Sequence, residues 1–379
     1  MVEVIVNIII VLLILGFLVA IHELGHFLSA KLFKVKVEAF AIGLGPKFWS
    51  KKVGETEYRL NILPLGGYVK ILGEGDEELD DKERKDSRNF KNISKWKQIV
   101  ILLAGVTMNL IFAVGMYYFF IIYSGYKWQL SEDIKGFKPV VGRIVTERLG
   151  DVEYTQLTED GNAKLAGLPD NGVIESVDGN KIHYSNDFRE YVTSKNGENV
   201  LITVCNPECK DYSVKVSDEG KVGMLIPTNY LVALDYSQDK LIAGFGHSVN
   251  LLKLISTRLS DLFSEAQSTG DYSVVTNNIS GPIGIYVIVE AFKQYGFLTL
   301  LGLTADISFT LAVMNLLPIP ALDGGRVLLV VLEKIMGRFW NKKVEMWAIN
   351  ISFMLLLLLM FVIMFKDIIQ FDQLRELLR

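Results

Sequence analysis

The sequence is poor in cysteine, histidine and basic charge, and each shortage excludes a class of protein. Two cysteines and four histidines among 379 residues exclude a disulfide scaffold and a zinc array built from cysteines. The 39 basic and 43 acidic residues give a formal net charge of −4, which is not the electrostatic footprint of a nucleic-acid-binding protein. Charged residues make up only 22% of the chain, whereas a soluble domain has about 25%.

Hydrophobic residues are abundant instead. They form 50% of the chain, and the mean hydropathy is +0.31. This composition excludes an intrinsically disordered protein and argues against an ordinary cytosolic enzyme. Four stretches approach the roughly 20 apolar residues that cross a bilayer. They are Val4–Ile21, Ile99–Ile122, Phe297–Leu317 and Met346–Phe365. The alternative for any one of them is a buried core helix, but four in one chain with basic flanks argue against it.

Lysine and arginine are concentrated between the first and second stretches and between the third and fourth. Because basic loops stay in the cytosol, we expect both of these segments to be cytosolic. Both termini and the stretch from 124 to 295 then lie on the outer side of the membrane. Cys205 and Cys209 belong to that outer stretch, where a disulfide and two thiols fit them equally well.

The connecting segments contain structure of their own. Val35–Ala41 and Tyr58–Leu63 are rich in β-forming residues, and Gly66–Ile71 is typical of a turn followed by a strand. We therefore expect a small sheet near the membrane, followed by a solvated loop in the charge run Glu74–Arg88. Apolar residues at helical spacing over Leu241–Phe263 predict an amphipathic helix, either on the membrane surface or facing the core of the outer domain.

A compact domain is predicted on the outer side, from about Gly136 to Pro227. A short helix before Gly167 and another near Asn186–Thr193 accompany its strands. Lys164–Leu168 followed by Val173–Ile182 resembles a bacterial-type PDZ domain, in which a sheet edge beside a helix takes up an extended peptide. The strand candidates are Val140–Val145, Gly172–Val177, Asn199–Cys205, Tyr212–Val216 and Val222–Ile226.

The sharpest signal is His22-Glu23-Leu24-Gly25-His26, which continues the first apolar stretch. Residues i and i+4 share one face of a helix, so both imidazoles can reach one metal ion. Zinc in hydrolases keeps three protein ligands and an open position for water, whose proton Glu23 is placed to take. Ionisable residues in an apolar span are costly and functional by default, which outweighs the alternative of two interfacial histidines.

The third ligand must be a carboxylate, because His183 and His247 belong to the outer region and are expected to be ordinary surface residues. Two aspartates lie on or near the third span, and depth decides between them. The span runs inwards, so Asp306 falls in its outer half and Asp323 follows its inner end. If the chain between them is helical, the two aspartates are about 25 Å apart along the helix axis, at roughly 1.5 Å per residue. Only Asp323 matches the depth of the two motif histidines, and Asp306 has no assigned role.

The sequence around Asp323 interrupts the helix. Pro318 and Pro320 cannot continue a helix cleanly, and Gly324-Gly325 permits a tight turn. Broken backbone at membrane depth is tolerated where it lines a cavity, so we expect a kinked segment that brings the carboxylate beside the histidines. A purely structural kink would explain the prolines, but neither Asn315 nor Asp323.

Together the two motifs resemble those of the site-2 protease family of intramembrane zinc metalloproteases. His-Glu-Leu-Gly-His ends the first span, and Asn-Leu-Leu-Pro-Ile-Pro-Ala-Leu-Asp-Gly-Gly ends the third. The single outer PDZ-like domain, Gly66–Val69 and Gly281–Gly284 are similar to the bacterial regulator-of-sigma-E protease branch. Ala104–Asn109 departs from the family, which often has a proline near this asparagine.

The resemblance implies that the motif histidines and the aspartate hold Zn²⁺ and that the motif glutamate is the catalytic acid/base. It also implies that the asparagine and prolines ending the third span contact the substrate backbone. The strand edge in the first loop is expected to hold an unwound substrate segment extended. The predicted site residues are His22, His26 and Asp323 for zinc, Glu23 for catalysis, and Asn315, Pro318, Pro320, Gly66, Gly67, Tyr68 and Val69 for substrate binding.

The predicted function is hydrolysis of peptide bonds within transmembrane segments by an intramembrane zinc metalloendopeptidase of a bacterial cell membrane. Its partners are the lipid bilayer and single-span membrane proteins, such as anti-sigma factors, or signal-peptide remnants, each after a first cleavage; nucleic acid is not among them. A non-catalytic scaffold is one alternative, although a structural metal prefers four protein ligands and does not need Glu23. A metal-ion transporter is another, although it would have ionisable residues in several spans.

The expected fold is a polytopic α-helical membrane protein with four transmembrane helices, a small membrane-associated β-sheet and one extracytoplasmic PDZ-like α+β domain. The predicted regions are transmembrane helix 1 (1–32), the cytoplasmic β region and loop (33–95), transmembrane helix 2 (96–124), the PDZ-like domain (125–235), the amphipathic helix and connection (236–295), transmembrane helix 3 with the aspartate ligand (296–332), and transmembrane helix 4 with the C-terminal tail (333–379).

Overall fold

The structure is a computed structural model that describes residues 2–74, 79–130, 137–277, 279–371 and 375, without the side chains of residues 64 and 65. The predicted domain start at Gly136, part of the charge run Glu74–Arg88 and most of the tail after 371 lie outside the described residues. The helices are α1 (Val2–Leu32), α2 (Asp81–Lys85), α3 (Lys95–Tyr123), α4 (Asn162–Leu165), α5 (Ser185–Thr193), α6 (Ala243–Thr269), α7 (Ser273–Asn277), α8 (Pro282–Phe292), α9 (Phe297–Asn315), α10 (Asp323–Met336) and α11 (Lys342–Ile369). The strands are β1 (Val37–Val53), β2 (Thr56–Ile71), β3 (Lys127–Leu130), β4 (Arg143–Arg148), β5 (Glu153–Tyr154), β6 (Gln156–Leu157), β7 (Gly172–Val177), β8 (Asn180–Lys181), β9 (Asn199–Cys205), β10 (Cys209–Lys215), β11 (Met224–Leu225) and β12 (Tyr230–Asp235).

Within the described ranges, α1, α3, α9 and α11 are long and apolar enough to cross a membrane. Each corresponds to one of the predicted apolar stretches, except that α9 ends two residues before the third stretch does. The α11 helix begins where the Asn341 side chain accepts a hydrogen bond from the Lys343 amide. Apolar side chains such as Leu355 and Phe361 remain more than half exposed on it, as suits contact with lipid.

The chain divides into two compact units, Met1–Phe120 with Gly244–Arg379, and Ile121–Ala243. In the first unit, the C-terminal half of α1 packs with α3 and with the start of β1. Ala30, Val35, Ile101 and Leu102 are almost completely buried in that core. A helix with so many apolar residues is stabilised mainly by this packing and by burial in lipid.

The strands β1 and β2 pair along their length and bend so that they form more than a simple hairpin. Phe40 has both Tyr58 and Val69 as partners, so the segment 39–42 lies between 57–60 and 67–70. The segment 57–60 also pairs with 49–52. Residues 67–71 are therefore an edge of this sheet, with no further strand beside them among the residues that the structure describes.

The charge run Glu74–Arg88 was expected to be a loop, but it contains the helix α2. Asp80 and Glu83 form a reciprocal capping box at the start of this helix, since each side chain accepts a hydrogen bond from the other residue's amide. No residue of α2 is buried, which agrees with the expected solvation. The short helix was missed because capping, rather than an apolar face, defines it.

The second unit consists of small antiparallel sheets with α4 and α5. One sheet has the order β10-β9-β7-β5 with β8 beside β7, a second has the order β3-β12-β4, and β11 pairs with β6. The predicted strands Gly172–Val177 and Asn199–Cys205 are confirmed. The strand expected at Val140–Val145 instead forms as β4, because its pairing with β12 runs from Arg143 to Arg148. Cys205 and Cys209 form a disulfide at the β9–β10 hairpin.

Candidate metal centre

Two histidines of α1 lie on one side of the helix. His22 Nε2 and His26 Nε2 are 3.1 Å apart, as their i, i+4 spacing predicts. His26 is 8% exposed, and its Nδ1 lies 2.8 Å from the Ile101 carbonyl oxygen of α3. Because a carbonyl oxygen only accepts, Nδ1 carries the proton and donates it to that oxygen. The Nε2 lone pair of His26 is consequently available to a metal ion.

The carboxylate of the site comes from the first residue of a new helix. After α9 ends at Asn315, the chain turns through residues 316–322, and α10 begins at Asp323. Asp323 Oδ2 lies 3.0 Å from His22 Nε2 and 3.5 Å from His26 Nε2. The structure thus brings the three predicted ligands together.

The Gly-Gly pair after Asp323 lies inside α10 and does not form the expected turn. A Cβ on Gly324 would be 2.2 Å from the Leu316 carbonyl oxygen, and one on Gly325 would be 1.9 Å from the Ile319 carbonyl oxygen. Because no side chain occupies this space, α10 begins directly against the preceding turn. This close approach fixes where the Asp323 carboxylate lies.

The three ligand atoms fit a single metal ion. Zinc ligands at about 2.1 Å in a tetrahedral arrangement are separated from one another by about 3.4 Å. The separations here are 3.0, 3.1 and 3.5 Å. Asp323 Oδ2 is buried without a hydrogen-bond partner among the described residues, which is costly unless a cation is close by. Two imidazoles and a carboxylate are also a donor set of catalytic zinc, with one position left for water.

The helix α3 lies directly against both imidazoles at Gly105. A Cβ on this residue would be 2.4 Å from His26 Nε2 and 2.7 Å from His22 Nε2. Only glycine therefore leaves room for both ligand nitrogens. This residue was not predicted from the sequence, although a glycine inside a long helix, where it costs about 1 kcal/mol relative to alanine, is a signal of close packing.

A cavity of about 450 Å³ opens onto the three ligands. Its walls include Glu23, the sheet edge at Tyr68–Ile71, and Glu74. The Glu23 carboxylate interacts with the backbone amide of Val69. The general acid/base predicted on α1 and part of the predicted peptide-binding edge therefore share one cavity.

Five of the predicted substrate-binding residues do not line this cavity. Gly67 packs between Ala41 and α1, where a Cβ would be 2.8 Å from the Ala41 carbonyl oxygen and 3.4 Å from Glu23 Cγ. Asn315 is the last residue of α9, and the two prolines belong to the turn that leads to Asp323. The residues that do not contribute to the cavity wall are Gly66, Gly67, Asn315, Pro318 and Pro320.

An ion pair that the sequence analysis did not anticipate lies at the rim of the cavity. Arg326 Nη1 lies 3.1 Å from Glu74 Oε1, which joins the end of the sheet edge to the helix that carries Asp323. Burial raises the pKa of Glu74 above its usual range, although the charge of Arg326 acts in the opposite direction. Both residues also line a second cavity of about 340 Å³, together with Lys95 and Gln98. The pair lies where the two cavities meet.

Asp306, for which the sequence offered no role, is the hydrogen-bond acceptor of Tyr117, whose hydroxyl donates to it at 2.9 Å. The Tyr117 ring contacts His247 at 4.7 Å between centroids. His247 is only 3% exposed, so the expectation of a surface residue was wrong for it; His183 is exposed as expected. These residues are separate from the metal ligands.

Comparison with known proteins identifies the family of this chain. A sequence profile described as Peptidase family M50 matches residues 10–359. The chain belongs to peptidase family M50. It is 30% identical over 424 aligned positions to the regulator of sigma-W protease RasP of Bacillus subtilis, covering 94% of this chain and 97% of that protein. It is 26% identical to the zinc metalloprotease RasP of Bacillus licheniformis, covering 94% and 97%. It is also 33% identical to a Clostridium acetobutylicum protein, covering 96% and 97%.

Membership of peptidase family M50, the site-2 protease family, makes this chain a zinc metalloprotease. The apolar helices and the family together make it a membrane protein. His22, His26 and Asp323 form the group of histidine and acidic side chains able to hold a metal ion within the described part of the chain.

Proposed function

We propose that this M50 peptidase hydrolyses peptide bonds within the transmembrane segments of single-span membrane proteins. The observation that carries the proposal is the convergence of His22, His26 and Asp323 with Glu23 in one cavity, on or beside helices long enough to span a bilayer. A structural metal site would not require a cavity, a carboxylate base and an open position together.

Each residue of the site has its own role in hydrolysis. His22, His26 and Asp323 hold zinc, which when bound polarises the scissile carbonyl and lowers the pKa of water. Glu23 takes the proton of the attacking water and returns it to the leaving amine. The hydrogen bond from His26 Nδ1 to the Ile101 carbonyl oxygen keeps that imidazole in the orientation and tautomer that a ligand needs.

The substrate must be unwound before it is cut, because the carbonyl groups of a helix are already hydrogen-bonded. No further strand lies beside the sheet edge 67–71 among the described residues, so an extended segment can be added there, and Tyr68–Ile71 line the cavity with the ligands. Asn315, Pro318 and Pro320 border the approach to Asp323, and we assign them contacts with the freed substrate backbone. Gly66 and Gly67 shape the edge beside Glu23.

The comparison and the second unit support a proposed substrate class. RasP of Bacillus subtilis is named as a regulator of sigma-W protease, so we propose an anti-sigma factor or a signal-peptide remnant as substrate. We assign residues 125–235 to a PDZ-like module that filters or reads the outer part of the substrate. In its favour, β11 is paired only with β6 among the described strands, and Arg189 of α5 donates a hydrogen bond to the Ile226 carbonyl oxygen at 2.6 Å.

We place the protein in a bacterial cell membrane with four transmembrane helices and with both termini on the outer side. The basic residues between the first two spans and between the last two support this orientation. The metal centre then lies towards the cytosol, and water reaches it from that side. Peptide-bond hydrolysis occurs in the inner half of the bilayer.

The proposal is tested by cleavage of a single-span helical substrate by the full chain in detergent, with zinc content measured on the same samples. Glu23→Gln should keep zinc and lose activity by about 10²–10⁴-fold, the usual contribution of a general acid/base. The matched control is Glu3→Gln on the same helix, which removes only an exposed partner of Lys293 and should cleave normally. If the wild-type protein holds zinc yet cuts nothing, even after the outer part of the substrate has been trimmed, the result would favour the non-catalytic scaffold.

A further inference from the structure

Asn109 of α3 reaches the back of the His22 imidazole. It is 1% exposed, and its Nδ2 atom lies 3.5 Å from His22 Nδ1. The opposite ring nitrogen, His22 Nε2, faces Asp323 Oδ2 at 3.0 Å. Asn109 Oδ1 is buried and has no hydrogen-bond partner among the described residues. The side-chain NH₂ group of Asn109 therefore points to His22, and its Oδ1 atom makes no hydrogen bond with a described residue.

A neutral imidazole that binds a metal ion through Nε2 carries its proton on Nδ1. The Nδ1–H group of His22 would then meet the NH₂ group of Asn109, and two donors do not form a hydrogen bond. The two ends of an asparagine amide are assigned from such networks. Exchanging them places Oδ1 where it accepts from His22 Nδ1–H. One amide atom stays without a partner in both arrangements, but the donor–donor contact becomes a hydrogen bond.

The acceptor for the other imidazole comes from the same face of the same helix. His26 Nδ1 donates to the Ile101 carbonyl oxygen at 2.8 Å. Ile101, Gly105 and Asn109 follow one another at intervals of four residues, which keeps them on one stripe of α3. The middle residue is the glycine that lies against both ligand nitrogens. Ile101 at one end of this stripe therefore contacts His26, and Asn109 at the other end contacts His22.

We propose that Asn109 is a positioning residue of the metal centre, with its side-chain oxygen accepting from His22 Nδ1–H and fixing the tautomer and ring orientation of His22. The inference rests on the proposed zinc-ligand role of His22 and extends it to a residue that does not touch the metal. Such an acceptor behind a ligating histidine is commonly worth about 10–100-fold in metal affinity.

The test is the zinc dissociation constant of the full chain in detergent, measured by competition with a chromogenic chelator. Asn109→Leu has a similar volume and no acceptor, and it should weaken zinc binding about 10–100-fold. Asn109→Asp keeps an oxygen at the same place and should bind zinc within a few-fold of wild type. The matched control is Ser308→Ala, which removes the hydrogen bond to the Asn109 backbone carbonyl oxygen and leaves the side chain intact.

Equal zinc affinities for wild type and Asn109→Leu would overturn the proposal, as would an equal loss in Asn109→Leu and Asn109→Asp. Thermal unfolding in EDTA shows whether each variant is folded without metal. If Asn109→Leu does not fold, the zinc affinities of Asn109→Ala and Asn109→Asp are compared instead, and the same difference is expected. A zinc-binding wild-type protein without protease activity would refute the proposed function but not this inference, because affinity is measured independently of cleavage.

Discussion

The substitution Gly105→Ala adds one methyl group beside the metal ligands. Its Cβ would lie 2.4 Å from His26 Nε2 and 2.7 Å from His22 Nε2. Since carbon and nitrogen make ordinary contacts at about 3.5 Å, both rings must retreat by roughly 1 Å. A zinc site tolerates deviations of about 0.2 Å in its ligand distances. We therefore expect zinc affinity to fall at least about 100-fold, and cleavage at limiting zinc to fall with it.

The same methyl group should not unfold the helix. Alanine is favoured over glycine in a helix interior by about 1 kcal/mol, and the displaced rings border a cavity into which they can move. Gly115→Ala is the matched control on α3, because a Cβ there meets nothing within 4 Å. Chelator competition and thermal unfolding in EDTA should separate the two variants. A Gly105→Ala protein that binds zinc as tightly as wild type would refute this account of the site.

Three further results are expected. Gly67→Ala should lower kcat/KM by about 100-fold with zinc retained, because its Cβ would lie 2.8 Å from the Ala41 carbonyl oxygen and relief of this contact displaces the sheet edge; a zinc assay beside the kinetics checks this. Glu74→Gln should cost no more than about 1 kcal/mol of unfolding free energy, because burial disfavours the charge of Glu74 and offsets much of its attraction to Arg326; thermal unfolding measures it. Burial lowers the pKa of His247 to about 3, below the ordinary value of about 6.5, so between these values the unfolded chain binds more protons and stability falls as the pH falls. Between pH 7.5 and 5.5, the free energy of unfolding should therefore fall by about 1.4 kcal/mol less in His247→Gln than in wild type. Thermal unfolding measures this, and an equal fall in both proteins would contradict this pKa.

Local patterns in the sequence were enough to locate the four long apolar helices and the three side chains of the candidate metal site. The i, i+4 spacing placed His22 and His26 on one face, and membrane depth selected Asp323 over Asp306. Both arguments work because a helix has a fixed rise and a fixed period. The edge character of 67–71 was also suggested by its composition, although the bent pairing that creates the edge was not.

The features that the sequence did not reveal depend on contacts between distant segments. The role of Gly105 follows from the approach of α1 to α3, which no spacing within α3 reveals. The ion pair Arg326–Glu74 joins residues that are 252 positions apart. His247 was misplaced at the surface because a single polar residue on an amphipathic helix does not show which face is covered.

The central claim is that the metal centre cuts peptide bonds inside a membrane segment, and the position of the cut tests it most directly. A single-span helical substrate would be incubated with the full chain in lipid nanodiscs, with and without EDTA, and the products identified by mass spectrometry. We predict cleavage within the apolar segment, in its cytosolic half, that EDTA abolishes and added zinc restores. Cleavage confined to the soluble flanks, or cleavage that persists in EDTA, would contradict the account.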